Sequence, residues 1–208
     1  MLTFEDLQKK YGIGLTGGIA CGKSQVASLL RKLGFPVIDA DALSRKSLEP
    51  GTKWLAQVVA VFGGSVLHED GTLNRQKMRS LVFSNSDLRK RLEAIVHPAV
   101  YELLARELSG LDMYQRPRPW FFEVPLLVES GTHYRYRSIW VVQCSPAAQI
   151  QRLIQRDKID PALAEKIIKS QADSKARAAV ADVVIDTSGN IDELETKVKL
   201  ALEQTKLS

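Results

Sequence analysis

The sequence predicts an α/β fold, a five-stranded parallel sheet with helices on both faces. Three observations point to it. Short apolar runs recur at 11–16, 35–41, 120–124, 138–144 and 181–185, each short enough to be a buried strand. Stretches of helical periodicity separate them, the alternation from which parallel sheets are built. The third observation is Gly17 to Ser24, G-G-I-A-C-G-K-S, which fits G-x-x-x-x-G-K-S/T and stands between the first apolar run and a helix.

Strand, glycine loop and helix together are what a phosphate cradle needs. Glycines let backbone N–H groups converge on a polyphosphate, and the helix N-terminus adds partial positive charge. Gly17, Gly18, Ile19, Ala20, Cys21 and Gly22 are therefore expected to wrap a nucleotide's phosphates. Lys23 is expected to reach the outer phosphates and the Ser24 hydroxyl to hold Mg²⁺. The plain alternative is a glycine-rich turn that only caps a helix. That helix carries Val26, Leu29, Leu30 and Leu33 at helical spacing, and Gly34 is placed to end it.

Composition narrows the class. The chain has 208 residues, 45% hydrophobic and 25% charged, which is ordinary globular usage. Its net charge of +5 suits a phosphate-bearing partner, but no dense Lys/Arg block supports nucleic acid. There are two cysteines, Cys21 and Cys144, and no CxxC or Cys/His cluster, so neither a disulfide framework nor a zinc site is expected. Cys21 lies inside the loop, where a disulfide is awkward; its nearness to a helix start and to Lys23 predicts a lowered pKa. The first ten residues carry charges throughout, and no apolar run is long enough to span a bilayer. A cytoplasmic protein, a monomer or weak homo-oligomer with no membrane partner, is the expectation.

The second strand ends in Val37-Ile38-Asp39-Ala40-Asp41, at the edge where ligands sit in open α/β sheets. Strand alternation predicts Asp39 and Asp41 on one side. From about 42 to 110 the pattern is helical, broken at Glu49-Pro50-Gly51 and Gly63-Gly64, with a turn at His68 to Gly71. Asn85 or Ser86 is expected to cap a long helix, and His97-Pro98 to kink or break it. This block is too long for a crossover helix and reads as a substrate-binding insertion. After the fourth strand, Ser145-Pro146 opens a helix to about Arg156, and Asp160-Pro161 opens another to about Ala178. Asn190 is expected to cap the last helix, with Asp192 and Glu193 in its first turn.

Phosphoryl transfer to a hydroxyl needs a group to orient that hydroxyl and accept its proton. Asp41, at the strand edge beside the loop, is the favoured base; either Asp could instead cap the following helix. Glu123 ends the third strand and is expected to contact Mg²⁺; a strand-end carboxylate without that role is the alternative. Arg152 and Arg156, one turn apart, are expected on one face of a lid that closes on the transferring phosphoryl, Arg156 foremost. A solvated charged face is their alternative, and a structural kink is that of His97.

Leu15 to Ser24 (L-T-G-G-I-A-C-G-K-S), V-I-D-A-D, H-P, Val124 to Glu129 (V-P-L-L-V-E), Gln155 to Asp157 (Q-R-D) and Ala181 to Asp186 (A-D-V-V-I-D) follow one another in an order that resembles the dephospho-coenzyme A kinase family. The resemblance spans almost the whole chain. It implies a kinase core with a helical CoA-binding insertion and a helical lid at about 146–178. It implies phosphorylation of the ribose 3′-hydroxyl of dephospho-CoA by ATP, with Mg²⁺. Asp41 then sits on that hydroxyl, Lys23 and Ser24 on ATP and Mg²⁺, and Arg156 in the lid. Asp39, Arg45, His97, Pro125, Leu126 and Leu127 lie along the acceptor side. Ala20 and Cys21 stand where family members often have Gly and Ser, and Ala20 fits only with a negative φ. Gln25 replaces a frequent Thr, and Thr187 stands where an Asn near the adenine is common. Nucleoside, nucleotide and shikimate kinases are the alternatives with the same core. A phosphate-loop switch lacks its N-K-x-D motif here, and a nucleic-acid motor lacks its basic or aromatic track.

Overall fold

A computed structural model describes residues 2–83 and 85–206, excluding the side chains of 191 and 192. Met1–Asp39 with Met113–Ser208 forms one compact unit, and Ala40–Asp112 a second.

The first unit is built on the predicted sheet. Its strands are β1 (Gly12–Gly17), β2 (Val37–Asp39), β3 (Trp120–Glu123), β4 (Ser138–Gln143) and β5 (Val183–Asp186). All neighbours are parallel, in the order β2-β3-β1-β4-β5. β1, β3 and all but the last residue of β4 are buried, so they read as continuous apolar runs. Ile13, Leu15, Phe121, Trp140 and Val142 pack with Val26 and Leu30 of α2 (Lys23–Lys32) and with Leu194 and Val198 of the C-terminal helix Ile191–Gln204. Phe121 meets Trp140 edge-on at 5.0 Å between ring centroids.

A further helix, α1 (Phe4–Tyr11), was not expected from the apolar pattern. A capping box starts it, with Asp6 N–H donating to Thr3 Oγ1 and Thr3 N–H to Asp6 Oδ2. Gly34 ends α2 with φ +87°, as its position predicted. The helix foreseen from 161 to about 178 is two helices, Pro161–Lys169 and Ser174–Ala179. Ser170 closes the first by donating its hydroxyl to the Ile167 carbonyl, and Asp173 caps the second through Ala176 N–H. Asn190 precedes the last helix but makes no side-chain cap bond, and the side chain of Asp192 lies outside the described residues.

The second unit is helical. It comprises α3 (Ala40–Ser47), α4 (Lys53–Phe62), α5 (Arg75–Phe83) and α6 (Ser86–Gly110), with a bridge between Leu67 and Leu73. Its own core contains Leu48, Leu55, Val58, Val66, Met78 and Ile95. Asn85 caps α6 by accepting from Asp87 and Leu88 N–H. Of the kink or break expected at His97-Pro98, no break occurs: α6 runs on through Pro98. The lost backbone bond is outweighed by packing on both sides of the proline, where α6 meets α3, α4 and α5 and buries Ile95, Ala99, Leu104 and Leu108.

β2 is shorter than its apolar run suggested. It stops at Asp39, and α3 begins at Ala40, so Asp41 lies in a helical first turn. The alternation expected to align Asp39 with Asp41 therefore does not operate. The first turn of a helix still suits a carboxylate, because unpaired N–H groups there favour negative charge.

One glycine of the loop is required by the sheet itself. Gly17 is registered with Val142, and a Cβ on it would collide with the Val142 backbone carbonyl, which cannot move aside. Gly17→Ala is expected to lower the unfolding free energy by about 1–3 kcal/mol. Urea denaturation measures this, and an unchanged midpoint would show that the sheet has room for a methyl group.

Candidate active site

The loop leaves the C-terminal end of β1 and enters α2 with Gly22 at φ +82°. Lys23 opens the helix and extends to Glu123 at the end of β3, with Nζ 2.5 Å from Oε1. Both side chains are mostly withdrawn from water, 15% and 9% exposed. Arg31 adds a second positive charge 3.9 Å from Glu123 Oε2. β2 and β3 are registered so that Asp39 stands opposite Glu123. Two acidic strand ends thus lie side by side at this edge of the sheet, and Lys23 pairs with one of them.

The loop backbone is clamped from the far side of the chain. Ile19 N–H donates to Gln171 Oε1 at 2.8 Å, and Gln149 Nε2 donates to the Ile19 carbonyl at 2.9 Å. Thr187 Oγ1 donates to the Cys21 carbonyl at 2.8 Å. Arg152 holds Thr187 in turn, donating to its hydroxyl and its carbonyl at 3.1 and 2.8 Å. Ala20 sits at φ +59°, contrary to the negative value expected. An Ala there costs about 1–2 kcal/mol relative to a right-handed conformation. The bonds to Ile19 and Cys21, on either side, hold it.

Arg152 and Arg156, expected together on one lid face, part company. α7 (Pro146–Asp157) and α8 (Pro161–Lys169) pack as a hairpin, as expected. Arg152 serves the Thr187 clamp, whereas Arg156 is exposed and bound bidentately to Asp157 at 2.8 and 2.9 Å. The Arg156 guanidinium holds the Asp157 carboxyl below the usual carboxylate range, and Asp157 holds the guanidinium pKa up. Gln25 is exposed on α2, its Oε1 close to Gly22.

After β3 the chain turns through Pro125, whose carbonyl accepts from Thr16 Oγ1 at 3.3 Å. Leu126 is 51% exposed, but Leu127 is fully buried with its Cδ2 over Gly14. Leu127 therefore belongs to the core and not to an acceptor-facing surface as expected. Glu129 accepts from Ala172 N–H at 2.8 Å, tying this turn to the break between the helices at 161–169 and 174–179. In the second unit Asp41 and Arg45 stand at opposite ends of α3, and His97 on the packed helix α6; all three are exposed.

Several residues of this site carried no legible motif. Gln149 and Gln171 are separated from the loop by more than a hundred positions, and a glutamine has no periodic signal. Arg177, on α9 (Ser174–Ala179), is 7% exposed, and its guanidinium makes no hydrogen bond or ion pair with the described residues. Its Nη2 would lie 3.2 Å from a Cβ on Gly18. Cys144, at the end of β4, donates its S–H to Cys21 Sγ at 3.3 Å.

Ser24 and Glu123 offer the hard oxygen donors that suit Mg²⁺. Among the described residues no group of three or more His, Cys, Asp or Glu could hold a metal ion. A cation held by one or two protein oxygens, with nucleotide phosphates and water completing the shell, fits such a site.

The geometry is that of a kinase core, and comparison with known proteins narrows it. The dephospho-CoA kinase family model matches residues 11–193. The chain belongs to the dephospho-CoA kinase family. A dephospho-CoA kinase of Shouchella clausii is 42% identical over 193 residues, covering 93% of this chain and 98% of that protein. The crystal structure of a Thermus thermophilus protein superposes with a TM-score of 0.80 at 32% identity, covering 93% of this chain and 97% of that one. A dephospho-CoA kinase from Campylobacter jejuni superposes with a TM-score of 0.68 at 25% identity, covering 93% and 96%. Membership of this kinase family implies use of ATP. No helix among the described residues is long and apolar enough to cross a membrane.

The Cys21 thiol is lowered to about 7, first by the hydrogen bond from Cys144 and further by the charges of Arg177 and Arg152, against the opposing effect of burial. The cause is thus not the Lys23 proximity expected. Cys144, whose proton is held in that bond, is pushed up. Alkylation of Cys21 by iodoacetamide should therefore rise through a midpoint near pH 7. In Cys144→Ala the midpoint should move up toward the ordinary thiol value of about 8.5. Peptide mass spectrometry against pH reads both, and equal midpoints would contradict the role given to Cys144.

Proposed function

We propose that this chain transfers the γ-phosphoryl group of ATP to the ribose 3′-hydroxyl of dephospho-CoA, giving coenzyme A in the final step of its synthesis. The observation that carries the site assignment is the Lys23–Glu123 pair, a phosphate-loop lysine held in readiness by a strand-end carboxylate. Loop N–H groups from Gly17 to Ser24 cradle the phosphates, and Lys23 exchanges Glu123 for the outer phosphate oxygens. Mg²⁺, held by the Ser24 hydroxyl and the Glu123 carboxylate, neutralises phosphate charge when bound.

Asp41 is assigned as the base. Chain connectivity supports this, since it follows the end of β2 by two residues. Its carboxylate orients the 3′-hydroxyl and accepts its proton as the new O–P bond forms and the bond to ADP breaks. Arg156 leaves Asp157 to stabilise the transferring phosphoryl, and the α7–α8 hairpin acts as the lid. Arg152 acts on ATP through Thr187, the residue assigned beside the adenine, and Gln25 lies at the ATP side of the loop. Asp39, Arg45, His97, Pro125 and Leu126 are assigned to the acceptor side, with the second unit as the CoA-binding part. On this reading the enzyme works in the cytoplasm on small molecules, as a monomer or weak homo-oligomer.

A coupled assay of ADP release across acceptors tests the reaction. Turnover is expected with dephospho-CoA and not with nucleosides, nucleotides or shikimate; turnover only with one of the latter would overturn it. Asp41→Asn should lower kcat by roughly 10²-fold or more with ATP affinity nearly unchanged. Near-normal turnover would remove Asp41 from the role of base. Lys23→Ala should cost more than ~10²-fold in turnover, because a positioned phosphate charge is lost; steady-state kinetics on the folded variant measures it.

A further inference from the structure

Two cysteines distant in sequence meet at the phosphate loop, and the proposed transfer reaction uses neither sulfur. Cys21 and Cys144 are both free thiols, with their Sγ atoms 3.3 Å apart. A cavity of about 350 Å³ is lined by both, together with Gly18, Gln149, Gln171 and Arg177. A molecule little larger than water needs only on the order of 30–60 Å³ there. The guanidinium of Arg177, 7% exposed and without a partner among the described residues, lines the same space and favours a thiolate over a thiol.

We propose that Cys21 and Cys144 form a reversible oxidation site, at which hydrogen peroxide closes a disulfide that turns the kinase off. The Cys21 thiolate attacks one peroxide oxygen. The O–O bond breaks, hydroxide leaves and takes up a proton as water, and Cys21 becomes a sulfenic acid. The Cys144 sulfur then attacks the Cys21 sulfur, the S–O bond breaks, and a second water leaves with the Cys144 proton. Two thiols are oxidised by two electrons, and one peroxide is reduced to two waters. The lowered Cys21 thiol and the proton held on Cys144 match the roles of attacking and resolving sulfur.

Inactivation follows from where Cys21 lies. A disulfide needs its sulfurs at about 2.05 Å. Closing from 3.3 Å draws Cys21 toward the end of β4. The Cys21 carbonyl is tied to Thr187 and its N–H to the Gly18 carbonyl, so the pull passes into the loop backbone. A displacement of about 1 Å at a positioned site can cost on the order of 10²-fold in rate.

The full chain is treated with hydrogen peroxide, quenched by alkylation, digested and analysed by mass spectrometry, with ATP-dependent turnover followed in parallel. The expected result is a Cys21–Cys144 cross-linked peptide within one chain, turnover falling at least about tenfold in step with it, and full recovery with dithiothreitol. Cys144→Ser, which keeps the untreated turnover, forms no cross-link, and its Cys21 proceeds to sulfinic acid that dithiothreitol does not reverse. Absence of the cross-linked peptide overturns the proposal, as does a cross-link that leaves turnover unchanged. A Cys144→Ser variant that loses activity and recovers it like the wild type overturns it too. The cross-link is read without any acceptor present, so a wrong acceptor and a wrong oxidation site give different results.

Discussion

The ion pair between Lys23 and Glu123 is the interaction on which the site depends. It joins the first turn of α2 to the end of β3 across the phosphate loop, with both side chains largely out of water. Such a pair adds little net stability, because desolvation cancels much of the attraction. Its consequence is positional. The ammonium is kept extended at the C-terminal edge of the sheet, where ligands bind in this architecture. In the proposed mechanism a nucleotide replaces one anionic partner with another, and neither charge has to be left uncompensated during the exchange.

Everything around the pair restricts the loop's freedom. Gln149 and Gln171 hold Ile19 by both its carbonyl and its N–H. Thr187, braced by Arg152, holds Cys21. A phosphate cradle works by preorganised N–H groups, and these bonds supply the preorganisation from α7 and from the segments after α8 and β5. The same bonds tolerate a left-handed Ala20, where glycine is the usual solution. α7, the loop and the segments after α8 and β5 are thereby coupled through neutral hydrogen bonds and one arginine.

The sheet and the phosphate loop were legible because each rests on a local signal. Five apolar runs became five strands, and G-x-x-x-x-G-K-S needs no tertiary information to be read. The misses share the opposite property. Whether Asp41 falls in strand or helix depends on where β2 stops pairing with β3, which residue types alone do not show. Pro98 reads as a kink or break, but helix packing on both sides keeps α6 continuous. Ser170 and Asp173 end and restart a helix through polar caps too weak to stand out beside Ile167 and Ile168. Leu127 reads as part of a surface motif and is core because Gly14 leaves it room. The contacts of Gln149 and Gln171, the placement of Arg177 and the Cys21–Cys144 contact exist only once β1, β4 and the helices from α7 to α9 are assembled.

The exchange of partners at Lys23 is the central claim, and calorimetric ATP binding to wild type and Glu123→Gln, with and without Mg²⁺, tests it most directly. Without Mg²⁺ the variant should bind ATP more tightly than wild type, because Lys23 no longer has a competing carboxylate. With Mg²⁺ it should gain less affinity than wild type does, by about tenfold or more, because an anionic carboxylate oxygen is replaced by a neutral amide oxygen. Identical affinities and identical Mg²⁺ dependence in the two proteins would contradict the account.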